Sequence, residues 1–188
     1  MHFALFVAVP LLISTLVTAV VFLMMVVELQ LSRSNERGLR AAGALEPADD
    51  VYPLMQIAYP ASFVLMAIEG ALHASVASRA VLLGLAIFGC GKVIKFWAIA
   101  ALGPRWSFRV LVLPGAPLVT SGPYRWLRHP NYVGVMGEIA GVAIALSAIL
   151  TGTLALVIFA WVLVRRIKVE ERALHGPAGG ADGPQAVR

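Results

Sequence analysis

The run YVGVMGEIAGVAIALSAILTGTLALVIFAWVLV, residues 132–164, decides the fold. Its 33 residues carry one charge, Glu138. As one straight helix it would extend about 50 Å, well past a hydrocarbon core of about 30 Å. Thr151-Gly152, inside SAILTGTLAL, gives the chain a place to turn. The run therefore reads as two antiparallel helices, about 131–149 and 152–172.

Three further apolar segments precede it, at 3–27, 53–72 (with Pro60 as a kink) and 80–102. The chain of 188 residues is 60% hydrophobic and only 13% charged. Its mean hydropathy of +0.84 excludes an ordinary soluble domain. The first segment reads as a retained span, since no Lys or Arg precedes it and it exceeds a signal-peptide core. The expected fold is an all-α integral membrane protein with five transmembrane helices, the last two a hairpin. Lys and Arg then divide twelve to one between the two sides, with Arg79 alone on the sparse side and Lys92 and Lys95 inside the third segment. That asymmetry predicts an outer N-terminus and a cytoplasmic C-terminus. One domain, 1–174, is expected, followed by a disordered Gly/Pro-rich tail, 175–188. The net charge of +5 follows from basic loops and implies membrane lipids as surroundings rather than nucleic acid. A single cysteine, Cys90, excludes a disulfide framework, and no zinc-ligand pattern is present.

Three polar groups break the apolar background. In SGPYRWLRHPNYVG, 121–134, Pro130 suits the first turn of a helix and His129 lies just outside it. Read by residue type alone, Arg125, Trp126 and Arg128 form an interfacial anchor. In RRIKVEERAL, 165–174, Arg166 and Glu170 share a helix face and Glu171 points elsewhere. Alone, that cluster reads as a solvated helix end. Within the spans stand Glu69, Lys92, Lys95 and Glu138. Glu138 lies nine residues after His129, so the two point about 180° apart on a helix. A structural pair of Glu138 with Lys92 or Lys95 is the expected arrangement.

The combination of LVTSGPYRWLRHPNYVG, 118–134, with RRIKVEERAL about 35 residues later resembles the isoprenylcysteine carboxyl methyltransferase family, within a wider phospholipid methyltransferase-like group. The match runs from about Leu113 to Leu174. The resemblance implies a multi-pass methyltransferase that uses S-adenosyl-L-methionine at the cytoplasmic face, here of a bacterial cytoplasmic membrane. It implies a lipophilic or prenylated acceptor that enters from the bilayer. It puts the cofactor within 105–174, against Ala116, Pro117, Leu118 and Val119, beside Tyr124, on the turn His129, Pro130, Asn131 and Tyr132, and against Glu170. Arg166 corresponds to a catalytic arginine at the acceptor, and Arg109 to a further polar position. No metal is implied. The implied reaction is O-methylation of a carboxylate or of a phenol or enol. The stretch 33–60 is similar to a bacterial branch linked to type III polyketide products. After EERAL the family continues with an aromatic tail, whereas this chain continues HGPAGGADGPQAVR. Two other readings stand beside this one. The Arg-His-Pro-Asn-Tyr turn also resembles that of NADPH-dependent membrane reductases of the sterol-reductase type. A non-enzymatic membrane protein would use the same charges as anchors and glue.

Overall fold

The computed structural model of the chain describes residues 2–72 and 77–175. Five helices follow in order: α1 His2–Ala41, α2 Tyr52–Leu72, α3 Ser78–Leu102, α4 Pro130–Ala145 and α5 Ile149–His175. Two short 3-10 turns, Gly103–Arg105 and Gly122–Arg125, interrupt the connection between α3 and α4. The described residues hold no strand, only one antiparallel bridge between Leu45 and Val112. Four helical stretches, Ala8–Ala41, Tyr52–Leu72, Ser78–Arg105 and Ile149–Leu174, are long and apolar enough to cross a membrane. Leucines and valines of α1, α2 and α5 face outward in large numbers, as in a bundle whose solvent is lipid. The tail expected to be disordered lies, from residue 176 onward, outside the described residues.

α2 and α3 match their expected bounds to within two residues. α1 does not. It continues to Ala41 rather than stopping at 27, because ELQLSRSNERGLRA holds no proline and only one glycine, Gly38. The chain leaves this helix at Gly43, whose φ of +85° a side chain would disfavour.

The hairpin between α4 and α5 exists, but it turns four residues earlier than Thr151-Gly152. α4 ends at Leu146 in a paired C-terminal motif: Ala148 N–H donates to the Ala143 carbonyl at 2.8 Å and Ser147 N–H to that of Ile144 at 3.1 Å. Ser147 takes φ +54°, a position that glycine usually fills. Glu69 of α2 then caps α5. Its carboxylate accepts from Leu150 N–H at 3.0 Å and from the amide and hydroxyl of Thr151. Gly152 is a contact point inside α5, since a Cβ there would stand 2.4 Å from the Ala143 Cβ.

α4 is the centre of the bundle. Only 16 residues long, it buries Gly134, Val135, Glu138, Ile139, Gly141, Val142 and Ala145. It runs antiparallel to α3 at backbone contact. A Cβ on Gly84 would lie 2.3 Å from the Ala145 nitrogen, and one on Gly141 would lie 2.4 Å from that of Phe88. Small residues allow such approach where lipid gives helices no hydrophobic reason to associate. Against α4 pack Val21, Phe63, Met66, Phe88, Leu146 and Phe159.

The close seam presses Glu138 onto α3. Lys92 Nζ stands 2.9 Å from Glu138 Oε2 and 2.6 Å from Glu28 Oε1. Lys95 Nζ stands 2.6 Å from Glu28 Oε2 and 3.3 Å from Glu138 Oε1. The expected pair is thus a neutral quartet, completed by Glu28 on the unforeseen continuation of α1. All four side chains are at most 5% exposed. Tyr59 of α2 donates to Glu138 Oε2 at 2.6 Å, so four helices meet there.

Removing one member leaves an uncompensated buried charge. Glu138→Gln is expected to lower the unfolding free energy by about 3 kcal/mol. Pairing it with Lys92→Met restores neutrality and recovers most of that loss. Thermal unfolding of the purified variants in detergent checks both, and a single variant as stable as wild type contradicts the account.

Candidate functional site

The connection 103–129 folds back over one end of the bundle, and polar contacts fix it there. Asn35 Nδ2 donates to the Trp106 carbonyl at 2.8 Å, and Phe108 N–H donates to Ser32 Oγ at 2.8 Å. Val110 N–H donates to Asp50 Oδ2 at 2.9 Å. Leu45 and Val112 exchange two backbone hydrogen bonds. Arg105 Nη1 donates to the Pro117 carbonyl at 2.6 Å and so holds the 116–119 segment. Trp106, within the connection, is buried.

Beneath this strap lies a cavity of about 730 Å³. Ala116, Pro117, Leu118, Val119, Tyr124, His129, Asn131, Tyr132, Arg166 and Glu170 all line it. Residues far apart in sequence are therefore brought to one cavity. Pro130 is the exception among the expected site residues: it is buried as the first residue of α4 and does not line the cavity. Its ring fixes the backbone there, and the wall is made by its neighbours. Apolar side chains line it too: Phe22, Met25 and Leu29 of α1, Met55 and Pro60 of α2, and Val135 of α4. Lys95 and Tyr59 also line the cavity, which therefore borders the charged quartet.

A hydrogen-bonded chain crosses the polar wall. Arg166 Nε donates to Tyr132 Oη at 3.1 Å, and Tyr132 Oη donates to Glu170 Oε2 at 2.6 Å. The one-turn spacing of Arg166 and Glu170 is what lets one tyrosine reach both. His129 stacks on the Tyr132 ring, with centroids 5.4 Å apart and planes 14° apart. Its Nδ1 lies 3.7 Å from Glu170 Oε2, and its Nε2 lies 3.6 Å from Glu171 Oε1. His129 Nε2 and Asn131 Oδ1 are buried and make no hydrogen bond within the protein. Both belong to residues on the cavity wall and so offer capacity to a polar ligand. Burial first, and Glu170 second, push the Tyr124 phenol well up. Tyr124 therefore stays protonated at neutral pH and serves as a donor.

Arg166 is buried at 4% exposure. Besides Tyr132 it has two further acceptors, Asp50 Oδ1 at 2.9 Å from Nη1 and the Phe108 carbonyl from Nη2. Asp50 also accepts from Tyr52 N–H at 3.1 Å, which forms the entry turn to α2. Sequence reasoning missed Asp50. Its local signal was an aspartate two residues before Tyr52-Pro53, which reads as a turn, and its ion pair lies 116 positions away. Arg109 also lines the cavity, paired with Glu46 at 2.6 Å and Glu36 at 3.5 Å and lying over the Tyr52 ring. Trp126 and Arg125 are exposed, with the guanidinium over the indole and Trp97 alongside.

The isoprenylcysteine carboxyl methyltransferase family description matches residues 82–176. Over 161 residues the chain is 32% identical to the uncharacterized protein YpbQ of Bacillus subtilis, covering 85% of this chain and 95% of the relative. Over 147 residues it is 29% identical to an uncharacterized protein of Haemophilus influenzae, covering 78% and 86%. No solved structure matches.

The strap can be tested apart from any ligand. Arg105→Ala releases the Pro117 carbonyl. The Ala116 amide, bonded to the Leu113 carbonyl, is then expected to exchange about tenfold faster, the equivalent of one hydrogen bond. Exchange in α3 and α4 stays unchanged. Unaltered exchange at Ala116 contradicts the role given to Arg105.

Proposed function

The chain belongs to the isoprenylcysteine carboxyl methyltransferase family, and on that premise we propose that it methylates an oxygen of a lipophilic acceptor with S-adenosyl-L-methionine. The family supports a multi-pass membrane methyltransferase. The observation that carries the finer reading is the single cavity in which ten of the eleven expected site residues meet a set of apolar walls.

The residues on the polar wall fit the cofactor's functional groups. Glu170 has a free acceptor site for an amine or a ribose hydroxyl. His129 Nε2 and Asn131 Oδ1 have unfilled hydrogen-bonding capacity. The start of α4 is polarised positive and favours a carboxylate. Tyr124 donates, and the 116–119 segment supplies backbone and apolar contact. When bound, S-adenosylmethionine supplies a methyl group activated by its sulfonium. The protein's part is to position the two partners and exclude water, which needs neither a protein nucleophile nor a metal. Arg166, fixed by its three protein partners, lines the same cavity, and we assign it to the acceptor. The apolar walls hold the acceptor's tail, with a carboxylate, phenol or enol as the methylated group.

For the membrane frame we propose five spans, with the N-terminus outside and the C-terminus in the cytoplasm. The twelve-to-one division of Lys and Arg supports it. It sets the strap and the α4 N-terminus on the cytoplasmic side, where a soluble cofactor arrives.

Purified protein is expected to bind S-adenosylhomocysteine at sub-millimolar concentration by calorimetry. Glu170→Gln weakens that binding by about tenfold or more, the loss of a hydrogen bond to a charged group, with the unfolding midpoint little changed. Binding of NADPH in its place, or no binding of either, contradicts the reading.

A further inference from the structure

The turn that leads into α4 has two faces. Tyr124 and His129, at its ends, line the cavity. Arg125, Trp126 and Leu127, between them, are exposed, and Trp126 leaves 69% of its surface uncovered. Gly122, at φ +59°, lets the turn lie on the end of α3. A Cβ there would stand 2.9 Å from the Ala101 Cβ and 3.3 Å from Trp97 Nε1. Trp97 is exposed as well, with its ring 5.7 Å from that of Trp126. α3 is long and apolar enough to cross a membrane. Trp97 precedes its last residue, Leu102, by about 8 Å along the axis. The two indoles therefore mark one level, where a span gives way to water. Rings with an apolar body and one N–H donor are favoured at that level. Two cations stand beside them. The Arg125 guanidinium lies over the Trp126 ring at 5.5 Å, and stacking leaves its N–H fork free at the edge. The Arg128 side chain is 88% exposed, and Glu171 lies 3.8 Å from it, a surface pair that contributes little. The complement of such a face is anionic, and at the edge of a span it is the phosphate of a lipid headgroup.

We propose that the outer face of the turn 122–128 docks on the headgroups of anionic phospholipids, and that this contact steadies the cavity wall carried on its inner face. Arg125 and Arg128 take the phosphates, and Trp97 and Trp126 hold the boundary beside them. The occupant is the surface of the same bilayer that surrounds α3, so the contact continues the lipid-facing side of that helix. Outer and inner faces share one short turn. Whatever orders it from outside lowers the cost of ordering it from inside, and the coupling is equal in both directions. The docking rests on α3 as a membrane span, and its effect on the cofactor rests on the methyltransferase reading.

The test places the full chain in nanodiscs of phosphatidylcholine, with or without added phosphatidylglycerol. Hydrogen exchange is read at the Trp126 and Leu127 amides, both bonded to the Pro123 carbonyl. Phosphatidylglycerol is expected to slow both by about tenfold or more, from two arginines near an anionic surface. The slowing fades at high salt, and exchange at Ile139 and Val142 of α4 does not respond to the lipid. Arg125→Gln with Arg128→Gln abolishes the lipid dependence, whereas Arg125→Lys with Arg128→Lys keeps it. Equal exchange in the two membranes overturns the docking, and so does a glutamine variant that responds like the wild type. Inorganic phosphate that reproduces the slowing in phosphatidylcholine overturns it too, since the site is then one for a soluble anion. The wild-type comparison and the lysine variant decide the matter if the glutamine variant does not fold. S-adenosylhomocysteine is expected to bind about fivefold more tightly with phosphatidylglycerol present, and equal affinity overturns the coupling. If S-adenosylhomocysteine binds in neither membrane, the methyltransferase reading falls, and exchange still decides the docking.

Discussion

A charge carried into a bundle surrounded by lipid must find its partner inside the protein. Here four do so together. Glu28, Lys92, Lys95 and Glu138 close a neutral quartet across α1, α3 and α4, and the Tyr59 hydroxyl brings α2 into it. Such a group adds less to stability than its short distances suggest, because desolvation offsets much of the attraction. Its consequence is registration. α4 can slide along α3 only by stranding a charge. The glycine contacts between Gly84 and Gly141 require the same register, since neither helix has room for a side chain there.

The register of α4 is what positions the site. Its first turn carries His129, Asn131 and Tyr132, and the antiparallel hairpin brings Arg166 and Glu170 of α5 alongside. Tyr132 is the joint, accepting from Arg166 and donating to Glu170. Arg166 in turn reaches Asp50 and the strap at Phe108. One polar network therefore spans the entry to α2, the connection after α3, and the facing ends of α4 and α5. The same cavity borders the quartet through Lys95 and Tyr59. Polar and apolar residues of the cavity thus belong to one packed arrangement.

Much of this was legible in the sequence, for physical reasons. Length and composition separate lipid-facing helices from everything else, so 53–72 and 80–102 were found to within two residues. The length of 132–164 forced a hairpin. The helical spacing of Arg166 and Glu170 put them on one face, and resemblance joined them to 121–134. What was not legible depends on contacts across the chain. The hairpin turns at Ser147, and Glu69 of α2 caps α5 three and four residues on, at Leu150 and Thr151; a serine in a left-handed conformation gives no local signal. Gly152, which looked like a breaker, is a packing contact. Glu28 fell just outside the segment 3–27, and α1 continues beyond it to Ala41. Asp50 looked like a turn residue, and its partner Arg166 is distant in sequence. Pro130 belongs to the motif but serves the backbone beneath the cavity wall.

The central claim is that the cavity beneath the strap transfers a methyl group to a membrane lipid. The most direct measurement is mass spectrometry of lipid extracts from cells expressing the wild type and cells expressing Glu170→Gln at equal protein level. The account predicts a lipid heavier by one CH2 unit that carries label from methyl-labelled methionine, abundant with the wild type and strongly reduced with the variant. Lipid extracts with no labelled species specific to the wild type, from cells shown to contain folded protein, would contradict it.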